Sequence, residues 1–204
     1  GDQATKYPAR MLASILSNEY EKSELEKILK ENYYHLFKYG EKEVEMVLKQ
    51  LDSNLNVGSS TSTGRVLDSV AVALDSCGER TYEGECSMKL ESVASKSTNP
   101  LAIDFEIKDN KLLSSSILKT VVENYLKGVS KKDIAAGAQI AVAKGLSQLA
   151  IENASNVDTI GATGGVFYNE AISTTCKDYI TKNGYNFIQH KNRWSDDGSV
   201  SVAH

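Results

Sequence analysis

The chain has 204 residues, 41% apolar and 25% charged, with a formal net charge of −4. That balance suits a globular fold and excludes a nucleic-acid-coating surface, which needs a basic excess. No apolar run approaches the roughly 18 residues of a membrane span, and Gly1 to Lys6 lack the apolar core of a signal peptide. Cys77, Cys86 and Cys176 are odd in number and lack CxxC spacing. They predict neither a disulfide framework nor a zinc ribbon, and a reduced, cytoplasmic setting.

The N-terminal part, 1–98, reads as mainly helical. Leu25, Ile28, Leu29, Tyr33, Leu36 and Phe37 recur at helical spacing, as do Val44, Val47, Leu48 and Leu51. Leu55 to Thr63 is rich in Gly, Ser and Thr and reads as a loop. It feeds an amphipathic helix carrying Val66, Leu67, Val70, Ala71 and Leu74, which stops near Cys77-Gly78. The polar run Ser95 to Asn99, closed by Pro100, is the best internal boundary, so 99–204 is taken as an α/β part. Leu101–Ile107 and Lys111–Leu113 flank Asp109-Asn110 as a hairpin would. A helix with Ile117, Leu118, Val121, Val122, Tyr125 and Leu126 follows. The next, about Lys132–Ala154, is rich in Ala and Gly and predicts close packing against a neighbour.

The last third predicts a βαβ unit with a right-handed crossover: strand Val157–Thr163, helix Asn169–Lys182 and strand Tyr185–His190, with Asn183-Gly184 as the helix stop. Ligands of open α/β sheets bind at the carboxyl ends of strands. Gly164 and Gly165 fall at that edge, where glycines let a phosphate approach backbone N–H groups. Asp196 and Asp197 offer carboxylates in a tight turn, which suits a hard cation or a nucleotide-bound metal.

Several segments together resemble one family. They are Gly1-Asp2 with Pro8-Ala9-Arg10-Met11, Ser59 through Gly64-Arg65 to Asp68, Thr81-Tyr82-Glu83-Gly84-Glu85, Gly164-Gly165-Val166-Phe167-Tyr168-Asn169, and Asp197-Gly198. Their order and spacing look like the C-terminal part of HypF, the carbamoyltransferase of NiFe-hydrogenase maturation. The resemblance implies an α/β fold: the C-terminal portion of an actin/Hsp70-like (ribonuclease H-like) nucleotide-binding domain. It also implies that acylphosphatase, zinc-finger and YrdC-like portions, and the front half of this domain, lie upstream of Gly1. On this reading Thr61, Gly64, Arg65, Asp68, Gly84, Glu85, Gly164, Gly165 and Asn169 line the site of ATP or carbamoyl-adenylate. Asp197 would be a ligand of a divalent metal, Fe or Zn, with the family's two metal-binding histidines upstream. Here the family's Asn-Asp-Gly-Gly reads Asp196-Asp197-Gly198-Ser199. The implied partner is a HypE-like protein with a C-terminal cysteine, whose thiolate takes the carbamoyl group; no membrane or nucleic-acid partner is expected.

Plainer readings stand beside these. Arg65 and Asp68, three apart on one helix, form a surface ion pair in the plain reading. Glu83 and Glu85 favour a helix dipole, and Asn169 is an N-cap, alone or together with a ligand contact. His35, beside Tyr33, Tyr34 and Phe37, reads as a partly buried helix residue. His190, Asp197 and His204, seven apart each, are a disfavoured metal triad. Two other functions compete: a tRNA threonylcarbamoyl-adenosine protein of the same fold and a non-enzymatic helical interaction module. The former usually carries Gly-Glu-x-x-Asp-Lys where this chain has Gly64-Arg65 to Asp68-Ser69. The latter rests on the charged helices at 19–52, whose mixed charges look like an ordinary solvated face.

Overall fold

Amphipathic helices dominate because each apolar stripe has another to cover it. In the computed structural model, which describes residues 3–189, α1 (Gln3–Lys6) and α2 (Ala9–Leu16) precede α3 (Lys22–Asn32), a 3-10 turn at Tyr34–Leu36, and α4 (Glu41–Asp52). Residues 53–62 run as turns and irregular chain into α5 (Thr63–Ala73), and α6 (Glu85–Ala94) follows. The predicted loop is present and α4 carries its predicted stripe, but the first stripe is broken: α3 stops at Asn32, Leu36 falls in the 3-10 turn and Phe37 after it. α2, whose buried face is Ala9, Leu12, Ala13 and Leu16, was not foreseen as a helix. His35 departs from its plain reading: its side chain is exposed in the 3-10 turn and meets Asp75 at 3.1 Å.

Beyond Pro100, β1 (Ile107–Lys108) and β2 (Lys111–Leu112) form the expected hairpin, with Lys108 opposite Lys111. Asp109 and Asn110 both adopt positive φ, 50° and 59°, which two-residue hairpin turns demand and these side chains tolerate. The strand is far shorter than the apolar run Leu101–Ile107, since only two residues find a partner. Then come α7 (Ser114–Leu126) and α8 (Lys131–Glu152). The unit β3 (Thr159–Ala162), a 3-10 turn at Gly165–Tyr168, α9 (Glu170–Lys182) and β4 (Asn186–Gln189) closes the described chain, with β3 and β4 parallel and Ile160 opposite Phe187.

One core cluster runs through both parts, drawing Leu12, Leu29, Val44, Val70 and Leu90 together with Ile117, Ile134 and Ile172. Tyr33 is fully buried and its hydroxyl donates to the Ala73 carbonyl at 3.0 Å, so the ring fills the core while its polar end is satisfied. Among the described residues α8 alone is long and apolar enough to cross a membrane, by length and composition. It is a core helix here, with 61% of that window buried against its neighbours. Its glycines explain the fit: a side chain at Gly137 would overlap the Leu101 carbonyl, and one at Gly145 would press on Leu112. The segment after Pro100 is pinned there as Leu101 N–H donates to the Asp133 carbonyl at 2.9 Å.

The expectation that the cysteines form no disulfide is overturned. Cys77 and Cys86 are joined in a disulfide, and only Cys176 is free, buried on the face of α9 that meets α8. The spacing of nine carries no motif; the bond exists because packing of α5 on α6 brings the two Cα atoms to 5.4 Å, within disulfide reach.

Candidate functional site: the α5 head, the 77–86 loop and the glycine turn

At the start of α5 the plain reading of Arg65 and Asp68 as a surface pair fails. Asp68 is fully buried and the Arg65 side chain is 19% exposed. Asp68 Oδ1 accepts from Ser87 Oγ at 2.8 Å, while Oδ2 lies 2.8 Å from Arg65 Nη2 and 3.8 Å from Arg80 Nη1. The contact with Arg65 is ionic by distance but lacks hydrogen-bond alignment. Both Asp68 Oδ2 and Arg65 Nη1 are buried without a hydrogen-bond partner. Burial pushes the Arg65 guanidinium below its ordinary value, with Asp68 acting against that shift. A buried guanidinium nitrogen left without a partner is costly unless something else completes it.

The disulfide closes a loop that carries Arg80 to this pair. Arg80 N–H also donates to the Lys6 carbonyl at 2.8 Å, tying the loop to α1. Gly84 sits at φ 78°, a left-handed position that opens α6 and favours glycine. Glu85 is buried, and its Oε2 accepts from Thr81 N–H at 2.6 Å and Thr81 Oγ1 at 2.8 Å, while Oε1 pairs with Lys89 at 2.7 Å. Lys89 first, then the two Thr81 donors, hold its carboxyl down to about 2. Both Glu85 oxygens are thus engaged in bracing the loop, beyond the helix-dipole role.

At the carboxyl end of β3, Gly164 has φ 100° and Gly165 begins the 3-10 turn. Nothing lies within 4 Å of a Cβ built at either position. Gly164 needs its glycine for conformation; Gly165 has no positive φ and no steric neighbour that requires one. Asn169 is the N-cap of α9 as its plain reading held, its Oδ1 accepting Ile172 N–H at 2.9 Å. The turn touches α5, with Val166 and Phe167 packed on the core, so the glycine turn and the helix bearing Arg65 and Asp68 are neighbours.

Beside Arg65 a cavity of about 470 Å³ opens between α2, α4 and residues 56–62, lined by Arg10, Arg65, Arg80 and Glu83 with Ser60 and Ser62. Thr61 is exposed and does not line it; Gly64 lies half-buried in the first turn of α5. Four contributors were not foreseen: Ser87 and Arg80 on Asp68, Arg10 on the cavity, and buried Glu43, whose Oε1 accepts from Arg10 Nε at 2.6 Å. Their separations, such as 33 residues between Arg10 and Glu43, have no periodic signature. Among the described residues no three His, Cys, Asp or Glu side chains gather as a metal site. Asp197, with Asp196, His190 and His204, lies outside the described residues. The described residues therefore do not fit a metal by themselves, whereas guanidinium groups around a cavity and an open glycine turn fit a phosphate-bearing ligand.

Comparison with known proteins gives the lineage. Residues 1–203 match the family described as carbamoyltransferase, Kae1-like domain, second subdomain. The chain is 39% identical, over its whole length, to the probable carbamoyltransferase HypF of Methanocaldococcus jannaschii, of which it covers 26%. It is 28% identical over 64% of its length to carbamoyltransferase HypF of Rhodobacter capsulatus, covering 17% of that protein. The crystal structure of T. kodakarensis HypF superposes with a TM-score of 0.84 at 34% identity, over 93% of this chain and 25% of that one. A full-length HypF in the phosphate- and nucleotide-bound form shares the fold at a TM-score of 0.75 and 23% identity, over 98% of this chain and 26% of that one. The chain thus spans about a quarter of the length of the relatives it matches, and over that span the α/β fold is theirs. It belongs to the HypF carbamoyltransferase family, matching the second subdomain of the Kae1-like domain.

Proposed function

We propose that this chain is the C-terminal portion of a carbamoyltransferase that moves a carbamoyl group from carbamoyl-adenylate to a cysteine thiol of a HypE-like partner during NiFe-hydrogenase maturation. Carbamoyl phosphate and ATP are the proposed sources of the adenylate, made by upstream domains of the same polypeptide in a cytoplasm. The observation that carries the reading is the open glycine turn: nothing lies within 4 Å of a Cβ built at Gly165, which has no conformational need to be glycine, yet it sits at the carboxyl edge of β3 beside α5. A glycine so placed serves a ligand that must approach the backbone.

In the proposed reaction the partner's thiolate sulfur attacks the carbamoyl carbon. A C–S bond forms, the bond from that carbon to the adenylate oxygen breaks, and AMP departs with the electron pair. The residues of this chain bind and orient. N–H groups of the Gly164–Gly165 turn face phosphate oxygens, the Asn169 cap fixes the turn onto α9, and Arg65, held by Asp68, supplies positive charge at the neighbouring wall. Gly84 and Glu85 shape the 77–86 loop that positions Arg80. A divalent metal with Asp197 among its ligands belongs to the proposal through the family resemblance; no step above uses it.

The test is adenine-nucleotide affinity of the longer protein and its Gly165→Val variant, with unliganded melting temperature measured alongside. Expected is a loss of at least about tenfold, about 1.4 kcal/mol, with melting nearly unchanged because the added side chain meets open space. Unaltered affinity in a folded variant ends the phosphate-cradle assignment.

A further inference from the structure

The Cys77–Cys86 disulfide closes the base of a segment that the core barely holds. Both ends are core: Cys77, just beyond α5, is 4% exposed, and Cys86 is fully buried in the first turn of α6. Between them no residue from 78 to 84 is buried, and none lies in a helix or strand. A Cβ at Gly78 would meet Leu36 at 3.0 Å, so the chain is fixed up to that point. Beyond it, the links of 79–84 to α1 and α5 are polar. Arg80 N–H donates to the Lys6 carbonyl at 2.8 Å, Glu79 pairs with Lys6 at 3.2 Å, and Arg80 Nη1 stands 3.8 Å from Asp68. The first two end on α1, a helix of four residues with none buried, and an exposed ion pair contributes little. The Thr81–Glu85 brace joins the segment to the first turn of α6, so it ties nothing to α5. Segments with so few buried contacts open at low free-energy cost. The covalent tie between α5 and α6 is therefore what confines this one.

We propose that the Cys77–Cys86 pair is a thiol–disulfide switch for one wall of the cavity beside Arg65. Oxidised, it holds Arg80 and Glu83 at that wall; reduced, it releases 79–84 from α1 and from Asp68. The reductant is a dithiol. One of its thiolates attacks Sγ of Cys77, the more exposed of the two, and the S–S bond breaks. The electron pair passes to Cys86, whose place in the first turn of α6 favours a leaving thiolate. The second thiolate of the dithiol then attacks its own sulfur in the mixed disulfide and expels the Cys77 thiolate. Two electrons and two protons pass to the cysteines, and the reagent leaves as a disulfide. A disulfide oxidant reverses the exchange. Asp68 keeps Arg65 and Ser87 in both states, so the core charge stays partnered when Arg80 leaves. In the cytoplasm proposed above, disulfides are ordinarily transient and redox-sensing; the geometric argument stands without that location.

The experiment takes the longer protein through oxidation by glutathione disulfide, reduction by dithiothreitol and reoxidation. Mass spectrometry reads the thiol state of Cys77 and Cys86 and the hydrogen exchange of residues 79–84. Dithiothreitol should open the bond in the folded protein, and exchange over 79–84 should then rise at least about tenfold. The rise should hardly depend on urea below the unfolding transition, the mark of a local opening. Reoxidation should reverse it. Cys77→Ala with Cys86→Ala should exchange like reduced wild type whether or not dithiothreitol is present; if that variant does not fold, the wild-type cycle decides. A bond that resists dithiothreitol in the folded protein overturns the proposal, as do free thiols at both cysteines after glutathione disulfide. Equal exchange in the two states overturns it too. So does a rise that climbs with urea in step with global unfolding, or protection that reoxidation fails to restore. No nucleotide enters these measurements, so their failure and that of the proposed function are read separately.

Discussion

Asp68 shows how burial changes the meaning of a residue pair. An i, i+3 pair on an exposed helix contributes a few tenths of a kcal/mol, but a buried carboxylate flanked by Arg65 and Arg80 is a desolvated charge that needs its partners. Asp68→Ala is expected to destabilise the fold by about 3–5 kcal/mol, because two guanidiniums lose their counter-charge; chemical denaturation reads this directly. Ser87→Ala removes the hydrogen bond that Asp68 Oδ1 accepts and should cost about 1.5–3 kcal/mol, because the acceptor is a buried charge. Glu85 adds a pH dependence of definite sign. Its carboxyl is held at about 2 in the fold against an ordinary 4.5. The folded value is depressed, so its contribution to stability is full above 4.5 and is lost as pH falls from there toward about 2. Glu85→Gln should therefore be less stable than wild type at neutral pH, with the gap narrowing across that window in unfolding curves taken at successive pH values.

At the scale of elements, α8 and the 77–86 loop are the parts whose geometry tolerates least. Gly137 lets the chain after Pro100 lie against α8, where backbone rather than a flexible side chain occupies the space a Cβ would take. Helix propensity favours Ala over Gly by about 1 kcal/mol, yet Gly137→Ala is expected to lower stability by about 1–3 kcal/mol, since overpacking outweighs propensity. The sign of the melting-temperature change decides between the two effects. The Cys77–Cys86 bond closes a loop of separation nine. Cys77→Ser with Cys86→Ser should lose roughly 2–3 kcal/mol by the loop-entropy relation, and the same loss should follow treatment of wild type with a dithiol reductant under conditions that open the core.

For the molecule as a whole, one cluster of buried side chains joins α2 through α9 across Pro100. The polar run before Pro100 therefore marks a turn in the path, not a break in the core. Calorimetry should show a single cooperative transition for the described body, and two separated transitions would refute the shared core. By contrast, among the described residues β3 and β4 make a sheet of two parallel strands, with Ile188 of β4 60% exposed. Parallel sheets are ordinarily covered on both faces, whereas Ile188 of β4 lies open among the described residues. Asp197, outside the described residues, is tested at this scale too: Asp197→Ala in the longer protein should lower metal content with little change in melting, and Asp196→Ala should do less.

The sequence by itself determined the periodic features. The stripes of α3, α4, α5, α7 and α9 follow from repeating apolar positions, the Asp109-Asn110 turn from residues that accept positive φ, and the Asn169 cap from its side-chain oxygen; each is a local choice readable within a few residues. The motifs also placed the chain in its family. Only the tertiary structure decided which of those residues meet. The Asp68 carboxylate gathers Ser87 and Arg80 from beyond its own helix, Arg10 finds Glu43 across 33 residues, and Cys77 reaches Cys86. No spacing rule encodes such contacts, because they are set by how helices of fixed shape pack into one core. The same packing turned an apparent surface ion pair into a buried one and gathered three arginines around a single cavity.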